Sequence, residues 1–286
     1  MAEVVRTKQE ICERVAAARA GGKAIGFVPT MGALHAGHRK LIERSVSEND
    51  FTVLSIFVNP TQFGPAEDFD RYPRHLEADV AAAGQAGADL VFAPTAEEMY
   101  AADHSTWIDE EKVSEGMCGA RRPGHFRGVA TVCAKFFNVV RPDRAYFGQK
   151  DYQQLRIIER MVRDLDIPVE IRPVETVRGG DGLAVSSRND YLSPDERQAS
   201  LAIWRALKQA AALVGGGERS TRAVSDAVRS EIVRDGRLRV EYIEIVDAQT
   251  LEPIVPLEGR MVIAVAVYCN HTRLIDNLVV ECPKAD

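Results

Sequence analysis

The stretch Gly26-Phe27-Val28-Pro29-Thr30-Met31-Gly32-Ala33-Leu34-His35-Ala36-Gly37-His38 decides how this chain is interpreted. Its apolar first half predicts a buried strand, its Pro-Thr-Met-Gly residues predict a turn, and His-x-Gly-His opens a predicted helix. A helix N-terminus favours phosphate, because its free N–H groups and the positive end of its dipole face the ligand. Histidines three residues apart share one helix face and could add donors to a phosphoryl group. The stretch therefore predicts a site for nucleotide phosphates.

The two histidines also have simpler interpretations. A histidine near a helix start is usually a cap or a surface residue, and a pair at this spacing can bind a metal, although zinc pairs more often come with a glutamate, as in HExxH. The strand before the pair, the helix after it and the glycines at Gly32 and Gly37 favour the phosphate interpretation. Without a Cβ at Gly37, a base or a ribose could lie close to the backbone.

The composition is that of an ordinary globular protein, with 45% hydrophobic and 27% charged residues among 286. This length suits one large domain or two smaller ones. No apolar run reaches the length of a membrane span, and the charged, helix-periodic start is not a signal peptide, so we predict a cytoplasmic protein with no membrane partner. A net charge of −6 gives no support for a nucleic-acid partner. Five scattered cysteines without CxxC argue against a disulfide framework or a zinc site and for buried thiols.

Strands and helices alternate through about residue 185, which predicts an α/β fold with βαβ units and a parallel sheet. The unusual residues lie in loops that follow strands, where open α/β sheets bind their ligands. After residue 185 the pattern predicts a smaller α+β domain. The predicted helices span 4–20, 36–47, 75–86, 126–140, 152–164, 194–214 and 221–235. The predicted strands span 24–28, 51–58, 88–92, 144–147, 169–172, 240–246, 261–267 and 274–280.

Four further segments carry candidate chemistry. The amides of Asn59 and Gln62 could hold hydroxyls and a carboxylate, or mark a plain Asn-Pro turn. Lys150, with Asp151 and Gln154 following, could neutralise phosphate, or be the solvated lysine of a capped helix. The hydroxyls and arginine of 181–189 could clamp phosphate, or form an Asp-Gly turn before an interdomain loop. The basic segment 121–128 could be a mobile loop that closes over anions, or a solvated surface loop.

Six stretches, in order along the chain, resemble the pantothenate synthetase family: FVPTMGALHAGH, SIFVNPTQFG, DRYPR, RPGHFRGV, YFGQKDYQQL and DGLAVSSRNDYL. The resemblance spans residues 4 to about 281. It implies a Rossmann-like parallel sheet with a nucleotidyltransferase-type HxGH site in residues 1–185, and a smaller C-terminal domain in 186–286 that closes over the site. It also implies a cytoplasmic homodimer that converts ATP and (R)-pantoate to pantoyl adenylate and pyrophosphate, with Mg²⁺ accompanying ATP. The amine of β-alanine then gives pantothenate and AMP.

The resemblance also implies roles for individual residues. His38 is the expected proton donor, with His35 and Lys150 at the phosphates. Gln62 is expected to contact pantoate and β-alanine, Gln154 to contact pantoate, and Asp79 to help hold Mg²⁺; we add Asn59 to the substrate amides. The expected ATP site comprises Met31, Gly32, Ala33, Leu34, His35, Ala36, Gly37, His38, Gly148, Gln149, Lys150, Asp151, Val177, Val185, Ser186, Ser187 and Arg188. The chain departs from many relatives at Gln149, where glutamate is common, and at Val185, where leucine or methionine is common; main-chain contacts suffice at both positions.

Three other functions share parts of this pattern. A nucleotidyltransferase that moves AMP or CMP onto a phosphate substrate shares HxGH and a Ser/Arg loop, but would need a basic pocket where the amides suit an uncharged diol. An aminoacyl-tRNA synthetase fragment shares HxGH and SSR, but this chain is short, acidic and without an evident tRNA-binding module. A nucleotide-binding module without catalysis would lose little on substitution of His38.

Overall fold

A computed structural model describes residues 2–65 and 67–282, in two compact units. The first unit comprises Met1–Ser114, Arg121–Gln149 and Gln154–Glu175. The second comprises Glu115–Ala120, Lys150–Gln153 and Thr176–Asp286. Two short segments that lie early in the chain therefore belong to the second unit.

The first unit is an α/β fold around a six-stranded parallel sheet, with the strand order β1-β4-β3-β2-β5-β6. Its strands are β1 (Glu3–Val5), β2 (Ile25–Thr30), β3 (Phe51–Ile56), β4 (Leu90–Phe92), β5 (Arg144–Gly148) and β6 (Glu170–Val174). Its helices are α1 (Lys8–Ala20), α2 (Ala36–Glu48), α3 (Leu76–Gln85), α4 (Ala96–Met99) and α6 (His125–Val140), with most of α7 (Tyr152–Asp164) and the end of α5 (Met117–Arg121). Apolar side chains bury the central strands on both faces, which is why their sequences are nearly continuous hydrophobic runs.

The order of the strands fixes where a ligand can bind in this unit. From β2 the chain first adds β3 on one side, and only later adds β5 on the other side. Open α/β sheets bind ligands at such a switch point, in the crevice beyond the carboxyl ends of the strands. The loop that contains Met31 follows β2, and Gly148 ends β5. The loops after β2 and β5 therefore lie on the two sides of this switch point.

The second unit is built on a three-stranded antiparallel sheet of β7 (Leu238–Asp247), β8 (Gly259–Cys269) and β9 (Thr272–Cys282). Two helices, α8 (Pro194–Gly215) and α9 (Thr221–Val233), pack with this sheet around one apolar cluster. Helix α8 begins as its sequence predicts, because Ser193 and Glu196 form a capping box around Pro194.

The start of the chain differs from the prediction of a single helix over 4–20. Glu3–Val5 is a strand that pairs with β4, and the helix begins at Lys8. Thr7 causes the break, since its hydroxyl caps the helix and Glu10 completes a capping box. The predicted strand 51–58 is also shorter and ends at Ile56, before the turn at Pro60.

The remaining sequence expectations concern cysteines and membrane spans. Cys12 is exposed, and the other four cysteines are buried. Among the residues that the structure describes, no helix combines the length and the apolar character that crossing a bilayer requires.

Candidate active site

The two histidines of His-x-Gly-His lie where β2 gives way to α2. His35 is the N-cap of α2, and its Nδ1 accepts the N–H of Gly37 at 3.1 Å. The Nδ1 of His38 accepts the N–H of His35 at 3.3 Å. The two imidazole rings stack with centroids 4.0 Å apart. Both rings therefore share one face of the helix N-terminus, where main-chain N–H groups and the helix dipole favour a phosphate.

These hydrogen bonds assign the tautomer of each ring. A nitrogen that accepts an N–H bears no proton, so a neutral His35 or His38 carries its proton on Nε2. Each ring then has an Nε2–H donor. Gly37 makes this arrangement possible, because a Cβ there would lie 2.9 Å from Cε1 of His35. The glycine of the motif is needed so that the first imidazole can fold back onto the helix start.

Thr30 and Asp79 fix the turn between β2 and the histidines. The hydroxyl of Thr30 donates to the carbonyl of Ser55 at 2.6 Å and accepts the N–H of Gly32 at 3.2 Å. The carboxylate of Asp79 accepts the N–H groups of Ala33 and Leu34 at 2.9 and 2.7 Å. Gly32 has a φ of 87°, and a Cβ there would lie 2.8 Å from the Asp79 carboxylate. Asp79 therefore acts as a support beneath the loop.

The same contacts bear on the expected magnesium ligand. Asp79 is 4% exposed, and each of its carboxylate oxygens already accepts a main-chain N–H. Within residues 2–65 and 67–282, no group of three or more histidine, cysteine, aspartate or glutamate side chains could hold a metal ion. These two bonds give Asp79 the role of a support for the loop, and its expected contact with Mg²⁺ stays a prediction.

The turn at Asn59–Gln62 stands beside the loop after β2. Its amide end, Nε2 of Gln62, donates to Sδ of Met31 at 2.9 Å. Asn59 is 1% exposed, and its Nδ2 donates to Oε1 of Gln62 at 3.2 Å and to the carbonyl of Gly128 at 3.1 Å. A Cβ at Gly128 would lie 2.5 Å from the carbonyl oxygen of Thr61. The glycine on α6 is therefore needed for the close approach of this turn to the helix.

The basic segment 121–128 supports the same turn. Nε of Arg122 donates to Glu67 at 2.7 Å, and Nδ1 of His125 lies 2.8 Å from the carbonyl of Gln62. Burial alone would raise the pKa of Glu67, but the hydrogen bond and charge of Arg122 outweigh it and leave this pKa below its ordinary value. The side chain of Arg122 is 17% exposed. The charge of Arg122 is thus matched and largely covered, whereas Arg121 and Arg127 of the same segment are exposed, and the segment continues into α6 from His125.

In the second unit, the expected nucleotide residues lie on a small hairpin. The N–H of Val185 donates to the carbonyl of Val177 at 2.9 Å, so these two residues are paired. The hairpin turns at Gly182, whose φ is 94° and where a Cβ would lie 2.4 Å from Cδ1 of Trp204. Ser186 then caps the short helical turn Ser187–Tyr191 by accepting the N–H of Arg188.

Strand β9 anchors this hairpin through a buried ion pair. The Arg178 guanidinium donates to both carboxylate oxygens of Asp276, at 2.6 and 2.9 Å, and lies 3.6 Å from the ring centroid of Trp204. The Asp276 side chain is 3% exposed. A bidentate contact of this kind fixes orientation as well as position.

The next residue on β9 holds the segment that contains Lys150. Nδ2 of Asn277 donates to the main-chain carbonyl of Lys150 at 2.8 Å. The hydroxyl of Tyr152 donates to the carbonyl of Ala248 at 2.8 Å, and the amide of Gln153 bonds the main chain of Cys118 and Gly116. The Lys150 side chain is only loosely paired, with Nζ 3.7 Å from Asp151. Its main chain is fixed while its amine stays available to an anion.

The structure thus divides the expected site residues between the two units. The first unit carries Met31–His38, Asn59, Gln62, Asp79, Gly148, Gln149 and the half-buried Gln154. The second carries Lys150, Asp151, Val177 and Val185–Arg188.

Sequence reasoning missed the residues that support these side chains, chiefly Thr30, Tyr100, Asp276 and Asn277. A polar residue between apolar neighbours in a predicted strand was the one available signal, and it applies to Asp276 and Asn277 in the predicted strand 274–280. Thr30 lies after the predicted strand 24–28, in the predicted turn. Tyr100 follows a short helix 41 residues after Asn59, which it contacts, and no spacing rule relates the two.

Comparisons with known proteins identify relatives along the whole chain. A model of the family described as Pantoate-beta-alanine ligase matches residues 3–279. A pantothenate synthetase of Moorella thermoacetica is 53% identical over 98% of this chain and 99% of its own. The crystal structure of pantothenate synthetase from Thermus thermophilus superposes with a TM-score of 0.92 at 46% identity, covering 96% of this chain and 98% of that one. Pantoate-beta-alanine ligase from Francisella tularensis, complexed with beta-gamma ATP and beta-alanine, has a TM-score of 0.81 at 30% identity, covering 98% of both chains.

Proposed function

Because the chain belongs to the pantoate–β-alanine ligase family, we propose that it forms its amide bond through a pantoyl adenylate. The chain is a ligase, and its ATP-dependent reaction joins pantoate to β-alanine. In the proposed first step, a carboxylate oxygen of pantoate attacks the α-phosphorus of ATP, and pyrophosphate leaves. In the second step, the amine of β-alanine attacks the acyl carbon, the bond to AMP breaks, and the nitrogen loses a proton.

The stacked histidines at the start of α2 carry this proposal. The pantoate carboxylate is already a nucleophile, so the first step needs no base; it needs alignment and donors for the charge that develops on the phosphates. His35 and His38 each offer an Nε2–H donor, on a loop that Thr30 and Asp79 hold in place. Preorganised donors of this kind need no reorganisation when the charge appears.

The residues of the second unit supply the remaining positive charge in this proposal. Lys150 has a fixed main chain and a weakly paired amine, which suits a phosphate contact. Val177 and Val185 would contact the nucleotide through their paired main chain, while Ser186, Ser187 and Arg188 would contact its phosphates. Gln62 and Gln154 would bind pantoate, and Gln62 would also bind β-alanine.

Three further properties follow from the family resemblance and belong to the same proposal. Mg²⁺ would enter on the phosphates of ATP, which is how this ion commonly binds in such sites, with few protein ligands. The protein would be a cytoplasmic homodimer. Closure of the smaller C-terminal domain would exclude water from the acyl adenylate, which hydrolyses readily.

Isotope transfer tests the intermediate. Pantoate labelled with ¹⁸O in its carboxyl group is incubated with the protein, ATP, Mg²⁺ and β-alanine, and the products are analysed by mass spectrometry. Attack of the carboxylate on the α-phosphorus places one ¹⁸O atom in AMP. An acyl phosphate would instead yield ADP and labelled inorganic phosphate, and would refute the adenylate.

Pyrophosphate release provides the second measurement. With ATP, Mg²⁺ and pantoate alone, we expect a single-turnover burst, which becomes steady turnover when β-alanine is added. The comparisons do not favour the nucleotidyltransferase alternative, and the same assay excludes it if pyrophosphate release requires pantoate.

A further inference from the structure

The amide groups of Asn59 and Gln62 are joined to Tyr100 in one hydrogen-bonded relay. Oδ1 of Asn59 lies 3.0 Å from the hydroxyl of Tyr100, 3.0 Å from the hydroxyl of Thr61 and 3.4 Å from the N–H of Thr61. Nδ2 of Asn59 donates to Oε1 of Gln62 and to the carbonyl of Gly128. Nε2 of Gln62 in turn donates to Sδ of Met31.

The direction of each amide follows from its neighbours. The main-chain N–H of Thr61 is an obligate donor, so the Asn59 atom beside it must be the oxygen. The carbonyl of Gly128 is an obligate acceptor, so the atom beside it must be the nitrogen. Nδ2 of Asn59 then requires an acceptor on Gln62, which leaves the N–H₂ group of Gln62 directed towards the Met31 loop.

The relay also uses the full capacity of Asn59. The side chain is 1% exposed, its oxygen accepts from Tyr100 and Thr61, and both protons of its nitrogen are donated. The expectation that Asn59 contacts substrate directly therefore has no support in its geometry. Asn59 instead acts on the side chain of Gln62, to which its Nδ2 donates a hydrogen bond.

We propose that Tyr100 and Asn59 are positioning residues that orient the Gln62 amide, so that the site presents N–H donors to the oxygens of pantoate. This inference rests on the proposed role of Gln62 in pantoate binding. A substrate with a carboxylate or hydroxyl oxygen at this point accepts a hydrogen bond from Gln62. A substrate with only a hydrogen-bond donor there would place its donor against the N–H₂ group of Gln62 and would bind less well.

The surroundings of Tyr100 keep its hydroxyl in place as a donor. Its ring stacks on Trp107, with centroids 6.2 Å apart, and the amine of Lys135 lies 5.2 Å from the centroid of its ring. Burial raises the pKa of Tyr100 above its ordinary value, so the phenol keeps its proton. A protonated hydroxyl of fixed position can donate to Asn59 throughout the neutral pH range.

Tyr100→Phe tests the proposal with the smallest possible change. We expect the KM for pantoate to rise about three- to ten-fold, the scale of one lost hydrogen bond, while the KM for ATP and kcat change less than about two-fold. Tyr268→Phe is the matched control, because this tyrosine lies on β8 and packs its ring on Arg239. An unchanged pantoate KM in Tyr100→Phe, or an equal rise in the KM for ATP, would overturn the proposal.

Asn59→Asp provides a second, sharper variant. The aspartate keeps the acceptor for Tyr100 and Thr61 but removes the donor to Oε1 of Gln62, so we expect a larger rise in pantoate KM than for Tyr100→Phe. Thermal unfolding of each variant separates loss of fold from loss of orientation. A pantoate KM like that of the unaltered protein in folded Asn59→Asp would contradict the relay. Lack of pantoate-dependent pyrophosphate release by the unaltered protein would overturn the proposed function, and the inference with it.

Discussion

At the amino end of the six-stranded sheet, acidic side chains fasten one strand to the next, whereas at the carboxyl end polar side chains shape the loops. Asp50, Asp89 and Asp143 each precede a strand, and each accepts one main-chain N–H at or next to the start of a neighbouring strand. The donors are Ala24, Thr52 and Ile25, at 3.0, 2.8 and 2.7 Å. At the other end, Asp79 makes the same type of bond to the loop before the histidines. The same chemistry therefore serves strand register at one end and site geometry at the other.

The amino end also carries a partly exposed polar cluster at the end of α2. Glu48 accepts hydrogen bonds from Arg172 and from the hydroxyl of Tyr146, and it pairs with Arg44. The hydrogen bond from Arg172 is the main cause that lowers the pKa of Glu48 to about 2, and burial raises the pKa of Tyr146 to about 12. Substitutions at the two ends should therefore separate stability from activity.

His38→Ala at the carboxyl end should have the largest effect. Loss of one preorganised donor typically costs about 10²- to 10³-fold in kcat, and we expect a loss of that size with the free energy of unfolding changed by less than about 1 kcal/mol. Steady-state pyrophosphate release and chemical denaturation measure the two quantities. His271→Ala, at an exposed turn, is the control. Full turnover in His38→Ala would exclude the proposed role.

Asp79→Asn should have the second-largest effect, because Asp79 binds main-chain N–H groups as the aspartates at the amino end do, but the loop that it binds carries the site. One of the two acceptor oxygens becomes an N–H₂ group that faces a main-chain N–H, so the loop should shift and kcat should fall about 30-fold. We expect the Mg²⁺ concentration needed for half-maximal rate to stay the same. A large rise in that concentration would instead identify Asp79 as a metal ligand. Glu77→Gln, on an exposed position of the same first turn of α3, is the control.

Glu48→Gln should affect stability and its pH dependence but not catalysis. The depressed pKa means that Glu48 stabilises the fold above its ordinary value of 4.5 and that this contribution is lost as the pH falls towards 2. We expect the variant to lose about 1 kcal/mol of unfolding free energy at neutral pH and to lose less stability than the unaltered protein as the pH falls. Urea denaturation between about pH 3 and 7 measures both. Glu43→Gln removes an exposed ion pair on the same helix and should change the stability little. If the stability of Glu48→Gln fell with decreasing pH as steeply as that of the unaltered protein, the assignment to Glu48 would be wrong.

Gln62→Ala should have the smallest of these effects, and the most selective. Loss of its N–H donors should raise the pantoate KM about ten-fold while the KM for ATP stays within about two-fold. Initial rates at varied pantoate and saturating ATP measure this, with Gln9→Ala on the exposed face of α1 as the control. A proportional rise for both substrates would show that the turn supports the whole site instead.

Most helices and strands of this fold could be predicted from the sequence, because capping and hydrophobic periodicity depend on residues that are close together in the chain. Helix α8 was predicted from Ser193, Pro194 and Glu196, which cap it in the structure. Val4 and Val5 are predicted as helix, because a three-residue strand depends on its partner β4. That partner lies 87 residues later by the pairing of Glu3 with Leu90.

The candidate site shows the same limit. HxGH is local and was found directly, and its two rings do share one helix face. The supports of the site are distant in sequence: Asp79 binds a loop 45 residues away, and Tyr100 binds an amide 41 residues away. The family resemblance predicts a metal contact for Asp79, and the structure adds a role that the sequence did not indicate, because the carboxylate also supports the loop before the histidines.

The bond between Asn277 and Lys150 has a consequence for the timing of synthesis. The two residues are 127 positions apart, and a ribosome adding about 5–20 residues per second needs roughly 6 to 25 s to cover that distance. During this interval the nascent chain already contains the histidine loop, but the Asn277 amide that binds the main-chain carbonyl of Lys150 has not yet been added. A message cut short before codon 277 would thus yield a product that retains the loop of the first unit and lacks the Asn277 anchor of Lys150. Under the role that we propose for Lys150, catalytic competence is one of the last properties acquired during translation.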